Sequence, residues 1–186
     1  MTDERAFVSR AGLKLDAALR AFGLEVRGLT AADFGSHTGG FVDCLLRRGA
    51  ARVYAVEPGY GILDYSLRRD PRVVVMERRN ALHAACPEAC DLVTIDVGWT
   101  PQRLILPAAR RWLKPGATVI TLIKPHYEAD KRLLESGVLP EAALDAVLAD
   151  VRREVQSGWS IEGELRSPLT GHGGNAEFLW RLRPLA

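Results

Sequence analysis

Short apolar runs alternate with amphipathic runs along almost the whole chain. The apolar runs are rich in β-branched residues and have the length of strands; they cover residues 29–34, 52–57, 72–76, 91–96 and 117–123. Apolar residues at helical spacing mark helices over 40–48, 101–113 and, as the longest stretch, 140–156. Strands buried on both faces and joined by helical crossovers predict a parallel sheet in an α/β domain.

The two ends of the chain do not follow this alternation of strand-like and helix-like runs. Residues 9–22 predict an amphipathic helix with Leu13, Ala17, Ala18 and Phe22 on one side. After the last long helix come two strand candidates, 159–166 and 176–182, joined by a Gly-rich segment. A strand pair at the end of a parallel sheet predicts an antiparallel hairpin at its edge. Without repeats or linkers, we expect one domain over 1–186, in which 1–28 form an N-terminal helical segment.

Net charge and composition narrow the possible partners. The 186 residues carry 25 Lys and Arg against 23 Asp and Glu, a formal net charge of +2. This balance excludes a protein that binds nucleic acid by bulk charge, but it leaves room for a local basic face. Only four cations are lysines. Eight arginines form either a surface that follows phosphates or an ordinary solvated face: Arg47, Arg48, Arg52, Arg68, Arg69, Arg72, Arg78 and Arg79.

No apolar run reaches the length of a membrane span, and the first residues lack the apolar core of a signal peptide, so we expect a cytoplasmic protein. Cys44, Cys86 and Cys90 have no CxxC spacing, which favours buried free thiols. His37, His126 and His172 show no ligand spacing either, and we therefore expect no metal.

The segment from Asp33 to Phe41, DFGSHTGGF, joins the first strand to its helix. Glycines in such a turn let the backbone approach a ligand, and the helix N-terminus supplies N–H donors. Glu57 ends the next strand, where an acid often binds ribose hydroxyls. The turn is neither GxGxxG nor a P-loop, which disfavours NAD and ATP. Asn80, after the third strand, either contacts an adenine edge or caps a helix.

Two charged residues end neighbouring strands further along the chain. Asp96 closes the fourth strand and Lys124 closes the fifth. Ligands of open α/β sheets bind outside these carboxyl ends. The pair therefore lies beside the ligand held by the Gly-rich turn, or it is a plain salt bridge. Trp99 and Tyr127 follow the same strand ends and either stack on a base or pack at the rim.

Five motifs fall in order along the chain: SRAGLKL at 9–15, DFGSHTGGFVD at 33–43, VYAVE with GYG at 53–61, KPHYE at 124–128, and SP followed by GNAEF at 167–178. In this series the chain resembles the FtsJ/RrmJ-like ribose 2′-O-methyltransferases, and within them the TlyA (hemolysin A-like) branch. The resemblance covers nearly the whole sequence.

The resemblance implies a Rossmann-like, S-adenosylmethionine-dependent methyltransferase with a mostly parallel seven-stranded sheet and helices on both faces. It implies an RNA substrate, ribosomal RNA or a ribosomal subunit, and S-adenosylhomocysteine as product. The implied catalytic tetrad is Lys14, Asp96, Lys124 and Glu177, with Lys124 as base or hydroxyl activator, Asp96 orienting it and Glu177 orienting Lys14. Asp96 also borders the implied cofactor site. In that site Glu57 binds the ribose and Asn80 contacts the adenine. The methionine part is surrounded by Gly35, Ser36, Thr38, Gly39, Gly40 and Phe41.

The chain departs from the branch in three places. The branch begins with an S4 RNA-binding domain, whereas this sequence starts at the methyltransferase part; His37 replaces a smaller residue; and Gly98-Trp99 replaces Ser-Phe. Two other functions stay open: a methyltransferase with a different acceptor, and a cofactor-binding module without turnover. A membrane-active hemolysin is excluded because no apolar segment could enter a bilayer.

Overall fold

The computed structural model describes residues 7–185. Its centre is one seven-stranded sheet with the strand order β3-β2-β1-β4-β5-β7-β6. The strands are β1 (Thr30–Phe34), β2 (Arg52–Glu57), β3 (Val73–Glu77), β4 (Cys90–Ile95), β5 (Leu113–Ile123), β6 (Trp159–Arg166) and β7 (Phe178–Pro184). All pairs from β3 to β5 are parallel, and β7 runs antiparallel to both β5 and β6. The predicted parallel sheet with an antiparallel hairpin at its edge is confirmed.

Six α-helices flank the sheet in the described part of the chain: α1 (Ala11–Ala21), α2 (Gly40–Arg47), α3 (Tyr65–Arg69), α4 (Gln102–Arg110), α5 (Pro125–Glu128) and α6 (Glu141–Gln156). Each strand alternates its side chains between two separate cores. Ala32 and Phe34 of β1 enter a core with α4 and α6, whereas Ala31 enters a core with α1 and α2. Helices therefore cover both faces of the sheet, as the resemblance implies.

Two parts of the fold differ from the sequence prediction. The helix expected over 101–113 ends at Arg110, because Leu113 already pairs with Cys90 at the start of a long β5. A register shift between Cys90 and Leu92 absorbs the Pro115-Gly116 segment within that strand. The short helices α3 and α5 were not predicted, since neither is long enough to show periodicity. Cys44 and Cys90 are buried free thiols, but Cys86 is only half-buried.

The topology gathers the candidate site at one edge of the sheet. The carboxyl ends of the parallel strands β1 to β5 all lie at this edge. Because β7 is antiparallel, it begins where β5 ends, and Ile123 pairs with Phe178. The next residues outward are Lys124 and Glu177, which brings the last motif of the sequence beside the end of β5.

Candidate active site

A cleft opens between the Gly-rich turn and the carboxyl ends of β1, β4 and β5. Its first half has a volume of about 260 Å³. Its second half, of about 330 Å³, extends over the ends of β2 and β3. The two halves share Gly35, His37, Asp96 and Gly98, and they therefore form one continuous cleft. This shape suits an elongated ligand whose two ends have different chemistry.

The cleft depends on a glycine at position 35. Gly35 has φ +83°, and a Cβ there would lie 2.5 Å from the carbonyl oxygen of Asp96. The amides of Gly35 and Ser36 both donate to the carbonyl of Val56 on β2, at 2.9 and 3.1 Å. The turn is thus fixed between β2 and β4, and its backbone passes directly under the cleft.

The next residues lead the turn into α2. Gly39 caps α2 with φ +104°, and a Cβ on Gly40 would lie 2.8 Å from the amide nitrogen of Gly12 on α1. Thr38, Gly40 and Phe41 line the first half of the cleft together with Ser36. Gly39 lines neither half, so its role in the structure is to turn the backbone.

Glu57 is fixed at the second half of the cleft by two backbone amides. His37 N donates to its Oε2 at 2.9 Å, and Gly59 N donates to its Oε1 at 2.9 Å. The carboxylate is buried, and each oxygen keeps a second acceptor position. His37 holds φ +48°, an uncommon conformation for a residue other than glycine, so the contact with Glu57 is maintained against local strain.

Asn80 lies at the far end of the second half. Its Oδ1 accepts a hydrogen bond from Leu82 N at 2.9 Å and stabilises a turn. The side chain is exposed and lines the cleft at the same time. Asn80 therefore caps a turn and not the helix expected as one alternative, and the adenine contact stays a prediction.

Asp33 is a cleft residue that the sequence analysis did not single out. It lines the first half and is almost completely buried, with a single side-chain donor, Thr94 Oγ1, at 2.7 Å from its Oδ1. Desolvation by burial raises the pKa of this carboxyl to about 8. No cation among the described residues forms a salt bridge with Asp33. The sequence feature that could have indicated Asp33 is its position as the single acid inside the otherwise apolar strand β1.

Ser36 contributes a second unsatisfied group to the same half. Its hydroxyl oxygen is buried and has no hydrogen-bond partner within the described structure. Buried polar atoms without a partner are rare in native proteins. Together, Asp33 and Ser36 give this half of the cleft a buried carboxyl and a buried hydroxyl that polar groups of a ligand could satisfy.

Asp96 and Lys124 meet at the junction of the two halves. Lys124 Nζ lies 2.6 Å from Asp96 Oδ1 and donates to the carbonyl of Val97 at 3.1 Å. Both side chains are mostly buried but line the first half. The pair is therefore a salt bridge, and it also lies beside the cleft.

Lys14 and Glu177 form a second ion pair behind the first. Lys14 on α1 donates to Glu177, which precedes β7, and both side chains are buried. Neither residue is among those lining the cleft. The strand register nevertheless sets Glu177 next to Lys124, so the two ion pairs are neighbours at the ends of β5 and β7.

The sequence model of the FtsJ-like methyltransferases matches residues 7–183. The chain belongs to this family. It is a methyltransferase.

Individual relatives agree with this assignment. The chain is 44% identical to the 16S/23S rRNA (cytidine-2′-O)-methyltransferase TlyA of Mycobacterium tuberculosis, over 95% of the chain and 69% of the relative. It is 34% identical to Hemolysin A of Brachyspira hyodysenteriae, over 93% of the chain and 75% of that protein. A solved structure from Streptococcus thermophilus has a TM-score of 0.93 at 37% identity, over 99% of this chain and 69% of the other.

The described residues also bear on a membrane span, which the name hemolysin suggests, and on a metal site, which the histidines suggest. Within residues 7–185, no helix is both long enough and apolar enough to cross a bilayer. The same residues contain no group of three His, Cys, Asp or Glu side chains placed to hold a metal ion.

The buried pair predicts a large effect of removing one partner. Lys14→Met leaves the Glu177 carboxylate buried and unpaired, so we expect the free energy of unfolding to fall by about 3 kcal/mol. Adding Glu177→Gln should restore most of this loss. Urea denaturation of the single and double variants measures it. As a control, Lys114→Met breaks the more exposed pair with Asp91 and should cost much less. Equal losses in the two single variants would contradict the prediction.

Asp33 predicts an unusual pH dependence of stability. Its pKa is higher in the folded protein than in the unfolded chain, so the unfolded chain binds fewer protons between about pH 4 and pH 8. Stability from this group is present at low pH and is lost as pH rises through about 8. Asp33→Asn should therefore gain stability relative to wild type across this window, by about 1.4 kcal/mol per pH unit at most.

Urea denaturation at a series of pH values, without added ligand, tests this prediction. Asp64→Asn is the matched control, because the hydrogen bond from Ser66 lowers the pKa of Asp64. Its difference from wild type should have the opposite sign and should change only below about pH 4. A difference for Asp33→Asn that does not vary with pH would refute the assignment.

Proposed function

We propose that this protein transfers a methyl group from S-adenosylmethionine to the 2′-hydroxyl of a ribose in ribosomal RNA. The observation that carries the proposal is the position of the Lys124–Asp96 pair at the junction of the two halves of the cleft. In an elongated cofactor with a methionine end and an adenosine end, the reactive sulfur lies at that junction. The mycobacterial relative is named for methylation of cytidine 2′-hydroxyls in 16S and 23S rRNA.

The residues of the first half fit the methionine end. Asp33 offers a buried carboxyl without a cation partner, which an ammonium or sulfonium group would satisfy. The unpartnered hydroxyl of Ser36 and the amides at the start of α2 suit the cofactor's carboxylate. A cation held there would favour the ionised form of Asp33, so binding near neutral pH would release a proton.

The residues of the second half fit the adenosine end. Glu57 presents two fixed oxygens, each with an acceptor position left for a ribose hydroxyl. The side-chain amide of Asn80 lies where the adenine edge would pass. When bound, the cofactor supplies an electrophilic methyl group on a sulfonium sulfur.

Lys124 is the residue proposed to activate the acceptor. A neutral hydroxyl is a poor nucleophile, so the site must align it and take its proton. Lys124 would accept the hydroxyl proton on Nζ in its neutral form, after the ammonium of the resting ion pair has released a proton to solvent. Asp96, 2.6 Å away, stabilises the ammonium that results. Lys14 holds Glu177 beside this pair and keeps the second carboxylate in a fixed position.

An exposed aromatic stack next to Lys124 supports an RNA acceptor. The rings of Trp99 and Tyr127 lie 4.4 Å apart, and Lys124 Nζ is 5.8 Å from the Tyr127 ring. Trp99 is 77% exposed and has φ +57°, so an apolar ring is held in solvent by a strained backbone. We propose that this stack contacts the base of the methylated nucleotide.

The proposed function is tested by transfer of labelled methyl groups to purified ribosomal RNA. The RNA is then digested with nuclease and the labelled nucleoside is identified. Label should appear in a 2′-O-methylribose. Lys124→Arg should lower the rate at least 100-fold and leave cofactor affinity unchanged, because arginine keeps the charge but accepts no proton. Lys131→Arg makes the same change at an exposed position and should behave as wild type.

The other results of this assay separate the remaining functions. Label in a base, a protein or a small molecule would show a methyltransferase with another acceptor. Cofactor binding without any transfer would show a module that has lost turnover. Normal transfer by Lys124→Arg would refute the role of Lys124 as proton acceptor.

Removing the exposed ring should affect RNA and not the cofactor. Trp99→Ala should raise the KM for ribosomal RNA about tenfold, since stacking on an aromatic side chain contributes about 1–3 kcal/mol per base. Trp99→Phe keeps a ring and should retain most of the affinity. Calorimetric cofactor affinity should be the same in all three proteins. An unchanged KM in Trp99→Ala would assign the stack to packing at the rim.

A further inference from the structure

The structure divides the clustered arginines of the sequence into two groups. Five form salt bridges with carboxylates: Arg47, Arg48, Arg52, Arg68 and Arg72. The other three, Arg69, Arg78 and Arg79, form no salt bridge within residues 7–185, and all three are exposed. A paired guanidinium adds little to the local potential. Within this group of eight, the arginines without a carboxylate partner therefore lie at the ends of α3 and β3.

Two of these arginines lie over exposed tyrosines. The Arg78 guanidinium is 4.3 Å from the centre of the Tyr60 ring, and that of Arg69 is 5.7 Å from Tyr65. The two rings are 69% and 70% exposed. We call Tyr60, Tyr65, Arg69, Arg78 and Arg79 the Tyr–Arg patch. Guanidinium groups and aromatic faces at one exposed surface are the groups that bind phosphates and unpaired bases.

The central part of this patch is held in place without a ligand. Gly59 N donates to Glu57, Arg78 N donates to the carbonyl of Gly59 at 3.0 Å, and Ile62 N donates to Glu77 at 3.3 Å. Arg78 itself has φ +55°, so its position over Tyr60 is maintained against backbone strain. A ring fixed in solvent in this way loses little conformational entropy when it binds.

Tyr60 and Arg78, the central pair of the patch, lie at the same edge of the sheet as the candidate active site. Tyr60 follows β2 and Arg78 follows β3, beside the half of the cleft that contains Glu57 and Asn80. Four strand spacings separate β3 from β5, after which Lys124 lies, about 19 Å in all. A single RNA strand with its target ribose at Lys124 would need only a few nucleotides to cover this distance.

We propose that the Tyr–Arg patch binds the RNA strand a few nucleotides from the methylated ribose. The arginines contact phosphates, and the tyrosines stack on unpaired bases. This inference rests on the proposed function, and it adds a second contact region to the Trp99–Tyr127 stack. The two regions lie on either side of the cofactor cleft, and together they would hold the strand across it.

The test measures the affinity of the chain for a fluorescein-labelled single-stranded RNA by anisotropy at several salt concentrations. Arg78→Ala should weaken binding about tenfold at low salt and reduce the slope of log K against log salt by about 0.7, the value for one phosphate contact on a single strand. Arg78→Lys keeps the charge and should keep the slope. Tyr60→Ala should weaken binding without changing the slope, since stacking involves no counterion release.

Arg166→Ala is the matched control. Arg166 also lies over an aromatic ring, 5.8 Å from the centre of Phe178, but it pairs with Glu141 and ends β6, the outer strand on the other side of the sheet from β3. It should bind RNA as wild type does. Unchanged affinity and slope in Arg78→Ala, or an equal loss in Arg166→Ala, would overturn the inference.

Two further measurements separate this inference from the proposed function. Calorimetric affinity for the cofactor should be the same in wild type and in Arg78→Ala, which excludes an effect through the nearby adenosine end. Normal ribose methylation with an unchanged RNA affinity in Arg78→Ala would refute the patch and leave the proposed function standing. Absence of methyl transfer to RNA by the wild-type protein would refute the function itself.

Discussion

The ion pair between Lys14 and Glu177 is the interaction on which the active site depends. It joins the first described helix to the last strand, across 163 positions of sequence, and both side chains are buried. Because an unpaired buried charge is strongly unfavourable, neither partner can move alone. α1 is thereby held over the Gly-rich turn, where Gly40 packs against Gly12. The position of the turn, and so the shape of the cleft, follows from a contact that does not itself line the cleft.

The antiparallel strand β7 is what makes this pair possible. In a purely parallel sheet, the start of the last strand would lie at the opposite edge from the ends of β4 and β5. Reversing β7 brings Glu177 to the edge where Asp96 and Lys124 lie. At the ends of the adjacent strands β4, β5 and β7 then lie Asp96, Lys124 and Glu177 in that order. Lys14 on α1 supplies the second positive charge, so that each carboxylate has a lysine partner.

Much of this arrangement could be predicted from the sequence. Apolar β-branched runs located the strands to within a few residues, and the ordered motifs identified the family and indicated Lys14, Asp96, Lys124 and Glu177. The start of β5 was missed because Lys114-Pro-Gly is also a common helix end, and only the pairing of Leu113 with Cys90 decides between the two. The sequence did not single out Asp33, because what distinguishes this carboxyl is that no cation among the described residues pairs with it. Only a three-dimensional structure shows this. For the same reason, the sequence could not separate paired from unpaired arginines.

The balance of charge in the cleft explains why such an unfavourable carboxyl is retained. Each lysine of the site already has its own carboxylate, Asp96 for Lys124 and Glu177 for Lys14. In the first half of the cleft Asp33 is the acid left over, and burial raises its pKa to about 8. A protein selected for stability alone would replace it. Under the proposed function, a ligand that brings its own positive charge to the first half of the cleft would account for its presence.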